Sequence, residues 1–344
     1  MRISTSVSAV AVLDLHDLLL AMGVATEAEM LAAGLDRAAM IDRSAAALPL
    51  QEHRLPEAQL LALWQLAARN MTVPDVGLRV GQAYNPSTRG VLANWLFHCT
   101  DVGEAMQVFQ RHIALMNPSE SWVSAKADDS LLLTVSFAPG KPYPPSAIER
   151  SMSALLTWTR ELTGVALAPT ASEFAFARPA YHRRYAEIFG ADVRFDCGRN
   201  CLHLPRGVLH RPIRTANAYL KQILEERARQ ALQKLEVESE LIRNVCQRIR
   251  SSMHRGSSID DVCKTLHVSR PTLYRRLKRE GTSYSELVAA IRKELAYRQI
   301  QRGAPVAAVS DELGFKDVST FHRAFRRWFN RSPGELRSQA RSRG

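Results

Sequence analysis

Residues 313–337 read LGFKDVSTFHRAFRRWFNRSPGELR, and the order of residue types there decides the fold of the C-terminal part. Phe321, Phe325 and Phe329 recur every four residues, so they share one face of a helix over Asp317–Phe329. His322, Arg323, Arg326 and Arg327 fall on its other faces. Gly314-Phe315 reads as the turn before this helix, because glycine reaches the positive φ that other residues resist. Upstream, Pro305, Val306, Val309 and Leu313 space a short helix, and downstream Ser332-Pro333 starts a last one, with proline suited to the first position. Two short helices about a tight turn, the second of them basic, make a helix-turn-helix.

The layout occurs a second time. Residues 258–287 read SIDDVCKTLHVSRPTLYRRLKREGTSYSEL. Ser257 or Ser258 caps a helix whose buried face is Ile259, Val262, Cys263 and Leu266. Leu266–Ser269 is the turn, and Arg270–Glu280 is the second helix, ending at Gly281. Leu273 and Leu277 form its apolar face, and Arg270, Thr272, Arg275, Arg276 and Arg279 lie elsewhere on it. Between the two motifs, Ser283–Gln301 reads as one helix with the stripe Tyr284, Leu287, Val288, Ile291 and Leu295. Its length is roughly 28 Å at 1.5 Å per residue. Successive major-groove faces of B-DNA lie about 34 Å apart. A rigid spacer of this size suits two recognition helices on one DNA face, which favours double-stranded DNA over a generic polyanion.

The charge agrees. The 344 residues carry 46 Lys and Arg against 34 Asp and Glu, a formal +12. From Ser257 onward the count is 18 basic against 9 acidic, a net +9, so the other 256 residues hold only +3. One quarter of the chain therefore concentrates the excess, as an anion-binding module does. With 46% hydrophobic and 23% charged residues, global disorder is excluded. Five cysteines exclude a disulfide scaffold and fit a reducing cytoplasm. No apolar run approaches the length of a membrane span, and Asp14, His16 and Asp17 interrupt the apolar N-terminal stretch, so a membrane partner is not expected.

The remainder reads as an α+β unit. Helices are expected around Leu15–Met22, Gln59–Ala68, Gly90–Cys99, Val102–Met116, Ile148–Leu162 and Ala180–Phe189, with Asp101 as a cap. Ser121–Lys126 and Leu131–Phe137 are a hairpin whose turn includes Asp128-Asp129, and Glu173–Ala177, Val193–Phe195 and Cys201–Leu204 are short strands. Asn217–Leu235 is a charged helix with one apolar stripe. It packs on its own chain or forms a homodimer, and the spacing leaves both open. The expected architecture is an α+β N-terminal sensor domain (1–215), a helical linker (216–238), and an all-α C-terminal domain (239–344). The last carries helix-turn-helix motifs at about 258–281 and 305–330, joined by a long helix.

Residues 258–337 resemble the DNA-binding domain of the AraC/XylS family of bacterial transcription regulators. The resemblance rests on the two stretches quoted, on IRKELAYRQI (291–300), and on Gly314-Phe315, Ser319, Phe321, Arg323-Ala324-Phe325 and Ser332-Pro333. Cys263 stands where that family favours alanine, Val309-Ser310 where Ile-Ala is commoner, and His267 where glycine is frequent. Histidine tolerates such a turn better than most side chains. Residues 15–215 resemble the arabinose-binding-type N-terminal domain of the subfamily that includes ornithine-utilisation regulators. The matching pieces are residues 76–81, 90–92, 188–190, 193–195 and 204–205.

The resemblance implies base contacts from Arg270, Pro271, Tyr274 and Arg275 in the first motif and from Val318, Ser319, His322 and Arg323 in the second. Arg275 is the preferred reader, since a guanidinium bonds guanine O6 and N7 together. Arg323 is a reader, a phosphate anchor or a helix brace. Arg276, Lys278, Arg326 and Arg327 are assigned to phosphate or solvent, and Thr272 and Thr320 to phosphate or local capping. Phe315, Phe321, Phe325 and Trp328 are assigned to the core. The resemblance further implies a small-molecule effector, contact with RNA polymerase, an activating role, and a cytoplasmic protein that sits on the nucleoid when bound. By residue type, Tyr84, Trp95, His98, Trp122, Phe137 and Trp158 are the effector-site candidates.

No catalytic set, metal site or cofactor is expected. Cys197, Cys201 and His203 lie close together without a zinc spacing, and His98-Cys99 reads as a packed pair. Two rival readings remain. One is a metabolite-converting enzyme fused to a DNA module, and the other a non-specific architectural DNA-binding protein.

Overall fold

A computed structural model describes residues 6–41, 49–70, 72–85, 90–127, 130–255, 258–279, 282–329 and 331–341. The chain divides into two compact units between Lys234 and Leu235. The first runs β1 (Ser6–Ser8), α1 (Ala9–Ala21), α2 (Glu27–Ala32), α3 (Arg37–Met40), β2 (Arg54–Pro56), α4 (Glu57–Arg69), α5 (Val76–Gln82), α6 (Val91–Leu96), α7 (Val102–His112), β3 (Glu120–Ala127), β4 (Ser130–Phe137), α8 (Pro145–Thr163), β5 (Ala171–Glu173), α9 (Arg183–Phe189), β6 (Val193–Arg194) and β7 (Asn200–Pro205). A long helix, α10 (Ala218–Ser252), follows.

Five strands form one sheet in the order β3-β4-β7-β5-β6, antiparallel except for β5 with β6. The β3–β4 hairpin pairs from Glu120↔Phe137 to Ala127↔Ser130, and Asp128-Asp129 lie outside the described residues. Along β4, Leu131, Leu133 and Val135 alternate inward and are buried, as the period of two requires. They join one core with Ile148, Met152 and Leu156 of α8. A second core gathers Val7, Leu13 and Leu19 with Leu63 and Trp64 of α4.

α5 crosses α8 at backbone contact. A Cβ at Gly77 would lie 2.3 Å from the Ser146 carbonyl oxygen, and one at Gly81 would lie 1.8 Å from Ser153 Oγ and 2.6 Å from the Arg150 carbonyl oxygen. The two glycines of the Val76–Gly81 stretch are therefore what lets these helices approach. Asp101 caps α7 by accepting from the Glu104 N–H at 2.8 Å, and α8 ends on Gly164 at φ 74°.

Three local features differ from the sequence reading. β5 ends at Glu173 instead of reaching Ala177, because Phe174 turns into an aromatic cluster with Tyr185, Phe189 and Phe195, and the Ala175 N–H goes to the Asn200 side chain. The two-stranded sheet β1–β2 has no counterpart in the sequence reading. The helix expected at Asn217–Leu235 runs on to Ser252, since no glycine or proline interrupts residues 217–252.

The second unit is helical: α11 (Ile259–Thr265), α12 (Arg270–Arg279), α13 (Tyr284–Gln301), α14 (Val306–Glu312), α15 (Val318–Phe329) and α16 (Pro333–Arg341). Its core joins Ile242, Val245 and Ile249 of α10 to Val262, Leu273, Leu277, Leu287, Ile291, Phe321 and Phe325. Among the described residues, no helix in the chain is long and apolar enough to cross a membrane.

Candidate nucleic-acid interface and sensor cavity

Both helix-turn-helix turns take left-handed backbone. His267 has φ 52° and Gly314 φ 65°, so histidine does hold the conformation expected of it. Ser269 caps α12: its Oγ accepts from the Thr272 N–H at 3.3 Å and lies 2.9 Å from the Thr272 hydroxyl. Asp317 caps α15, taking the Thr320 N–H at 2.6 Å and the Thr320 hydroxyl at 3.0 Å, and these bonds hold its carboxyl below the ordinary aspartate range. The hydroxyls of Thr272 and Thr320 are thus engaged in local caps.

The buried side chains of α12 are Leu273 and Leu277. Helical spacing places Pro271, Tyr274, Arg275 and Lys278 together on another face, and all four are exposed. Tyr274 keeps 52% of its surface accessible. Arg276 is exposed beside that face. Arg270 is turned away and forms an ion pair with Asp260 of α11, which lowers the Asp260 pKa. On α15, Phe321 and Phe325 are fully buried, and Ser319, Arg323, Arg326 and Arg327 are exposed on the outer side. Val318 is 39% exposed, and half-buried His322 lies against Phe321. An Arg323 Nη donates to Thr320 Oγ1 at 3.2 Å, a bond within its own helix. Phe315 and Trp328 pack on the core as expected.

One residue of this unit escaped the sequence reading. Arg292 of α13 donates from Nε to the Leu313 carbonyl oxygen at 2.9 Å and from an Nη to that of Gly314 at 3.0 Å, and its guanidinium lies 4.8 Å from the centre of the Phe315 ring. It ties the second turn to the spacer helix. Burial lowers its pKa from the free value. The signal was an arginine four residues after Val288, inside the apolar stripe.

In the first unit a cavity of about 100 Å³ lies among α6, α7, β3 and α8. Trp122 and Trp158 line it, with Phe109, Leu155 and other apolar side chains. Its polar lining is Glu120, Arg150, Ser151 and Thr159. A smaller cavity of about 30 Å³, lined in part by Phe137, shares Met116, Glu120, Arg150 and Ser151 with it. Trp122 Nε1 donates to Glu120 Oε1 at 2.7 Å. Tyr84, Trp95 and His98 are not lining residues of either. Tyr84 packs behind the wall against Trp158, Trp95 stacks on His112, and His98 Nδ1 lies 2.9 Å from the Thr215 carbonyl oxygen. Residue type alone does not separate these three from the lining residues, because aromatic rings fill cores as readily as they line cavities.

The Cys197, Cys201 and His203 group is separately employed. His203 Nε2 meets Glu173 Oε1 at 2.9 Å, beside Arg199, which bonds Glu173 at 2.6 Å. The Arg199 bond leads in bringing the Glu173 carboxyl down to about 2. Cys201 is buried, with its thiol pKa raised by burial. Among the described residues, no cluster of three or more metal-ligating side chains occurs.

Comparison with known proteins gives the family. Residues 23–213 match the family described as the arabinose-binding domain of AraC transcription regulator, N-terminal, and residues 262–339 match a helix-turn-helix domain. The chain is 29% identical over 267 residues to the ornithine utilization regulator of Pseudomonas aeruginosa, covering 77% of this chain and 78% of that one. It is 26% identical over 290 residues to the transcriptional regulator VirS of Mycobacterium tuberculosis, covering 82% and 84%. Among solved structures, the transcriptional regulator CdpR of Pseudomonas aeruginosa aligns over 94% of this chain and 96% of its own, with 23% identity and a TM-score of 0.45. The chain belongs to the AraC family of DNA-binding transcription regulators, with an arabinose-binding-type N-terminal domain and a helix-turn-helix C-terminal domain.

Proposed function

We propose that this protein is an effector-responsive activator that reads two adjacent major grooves with α12 and α15. The observation that carries the reading is the pair of exposed helix faces, one with Pro271, Tyr274 and Arg275 and the other with Ser319, Arg323 and Arg326. Arg275 bonds a guanine edge, and Tyr274 and Val318 give apolar contact to thymine methyl groups. Arg276, Lys278, Arg326 and Arg327 hold phosphates. Arg323 divides between base and phosphate, and His322 lies at the edge of the contact. Arg270 serves as a brace through Asp260 first, and Thr272 and Thr320 through their caps.

Residues 1–215 sense a small molecule, 216–238 form the linker helix and 239–344 bind DNA. Tyr219, Leu220 and Ile223 are exposed on α10 and support a homodimer contact. RNA polymerase is the partner through which activation is exerted, and the protein works in the cytoplasm on the nucleoid. We read the first unit as a sensor and not an enzyme. The naming of the relatives as regulators and the mostly apolar cavity support this.

Footprinting of the full chain on genomic fragments tests the proposal. Protection of an asymmetric site of about 17–20 base pairs per subunit is expected, with occupancy or transcription altered by the effector. Binding that competitor DNA of any sequence removes equally would overturn it, and turnover of the effector would restore the enzyme reading.

A further inference from the structure

We infer that the cavity of the first unit takes a small monocarboxylate with an apolar body, anchored by Arg150. The inference rests on the sensor reading and gives it a ligand class. Arg150 lies on α8, is half-buried, and lines both cavities. Among the described residues its guanidinium has no ion pair and no hydrogen bond. The other half-buried arginines described in this unit are engaged: Arg54 bonds the Ser6 carbonyl oxygen at 2.6 Å, and Arg184 meets Asp75. A guanidinium keeps its charge under all ordinary conditions and presents five donors in a plane. A half-buried guanidinium without a protein partner can exchange its water for an anion, with charge-assisted bonds in return.

The other charged lining group is Glu120, and one of its oxygens is already taken by the Trp122 indole. No ion pair joins Glu120 to Arg150. The cavity therefore offers one free cationic anchor, which a carboxylate meets with two parallel bonds. A doubly charged phosphate would face the Glu120 carboxyl with a single guanidinium to balance it. The apolar remainder of the ligand would lie against Phe109, Trp122, Leu155 and Trp158. A volume of about 100 Å³ holds roughly seven to ten water-sized groups, so the acid has about six to eight carbons.

Calorimetry on the full chain, with octanoate and phenylacetate as probes and octan-1-ol and 2-phenylethanol as their neutral counterparts, tests this. The acids are expected to bind, and the alcohols to bind roughly 10- to 100-fold more weakly. Arg150→Gln should weaken the acids by the same factor and leave the alcohols unchanged. Arg150→Lys should restore part of the loss. Ala154→Leu, which fills the cavity, should weaken acids and alcohols alike. Equal affinity for acids and alcohols overturns the inference. So does a folded Arg150→Gln protein that binds the acids as before, or an Ala154→Leu protein that spares every probe. Ornithine binding more tightly than either acid overturns it too, because that molecule brings two ammonium groups to a cavity with one carboxyl. Footprinting in parallel separates the two claims. Specific DNA binding without acid binding overturns the ligand class and leaves the regulator standing. Acid binding without specific DNA binding supports the ligand class and removes the regulator.

Discussion

In the first unit Glu57, Asp75, Glu120 and Glu149 are all buried, whereas in the second, among the described residues, the buried polar side chains are Ser252 and Ser310. The acidic four are held by specific partners. Glu57 takes Lys141 at 2.7 Å and Tyr143 at 2.9 Å, Asp75 takes Arg79 at 2.9 Å, and Glu149 takes the hydroxyls of Tyr181 and Tyr185. Glu149 Oε2 has no partner at all. A carboxylate out of water costs several kcal/mol unless it is bonded. The first unit thus contains groups whose energy a ligand or a proton can change. The second has no fully buried carboxylate among the described residues, and its half-buried Arg292 braces a turn. A sensor needs an interior with alternatives, and a reader needs a fixed surface.

Substitutions on each side can break or sharpen that contrast. The largest effect is expected from Gly81→Ala, whose Cβ meets the Arg150 carbonyl, a backbone atom that cannot rotate away. It should cost about 3 kcal/mol, seen as a lower melting temperature for the first unit. A variant as stable as the parent would show that the α5–α8 crossing is loose. Arg292→Ala removes two bonds from a charged donor and should destabilise the second unit by about 2 kcal/mol, with specific DNA affinity falling and ligand binding unchanged. If DNA affinity holds, the second turn does not depend on its tie to α13.

Within the proposed reading surface, Arg275→Ala should lose about tenfold in affinity and relax preference at one base pair. Arg326→Ala should weaken all sequences alike and reduce the salt slope by about 1. Site selection and salt titration on both variants decide whether the two roles are separate. The pH response belongs to the first unit. Burial, foremost, and then the nearby Asp75 raise the Glu149 pKa, while the two tyrosine bonds oppose. The folded state therefore holds this proton to higher pH than the unfolded chain does. Stability from this group falls as pH rises from about 4.5 through the folded value. Denaturation of Glu149→Gln across that range should show the slope reduced, and an unchanged slope would assign it elsewhere. The smallest effect is expected from His267→Gly. Relief of left-handed backbone, offset by a freer unfolded chain, should leave a gain of about 0.5 kcal/mol. A loss would mean that the histidine ring contributes contacts of its own.

The helix-turn-helix unit was largely legible because its determinants lie within a few residues of one another. The phenylalanine spacing of α15 and the Ser258 cap could all be read locally. So could the positive φ at Gly314, while that at His267 was implied by the resemblance. The +9 of this region was legible as a sum but not as a distribution. Arg270, Arg292 and Arg298 meet Asp260, backbone carbonyls and Glu294, so part of the charge is structural. In the first unit the hairpin and α8 could be read, and the cavity could not. Residue type selected Trp122, Phe137 and Trp158, which line the cavities, and equally Tyr84, Trp95 and His98, which do not. Arg150, which lines the cavity with no bond or ion pair of its guanidinium among the described residues, was not singled out.

By itself, then, the sequence determined what repeats at short range: helix faces, caps, turns and the division between a nearly neutral three quarters and a basic last quarter. Tertiary structure decided what depends on residues far apart. Gly81 meets Ser153, Arg292 reaches Leu313, and Glu120 and Arg150 come to line one cavity without pairing. The physical reason is that local periodicity is set by backbone geometry, which every residue shares. Which of two identical side chains is partnered and which is left free is set by packing between distant segments.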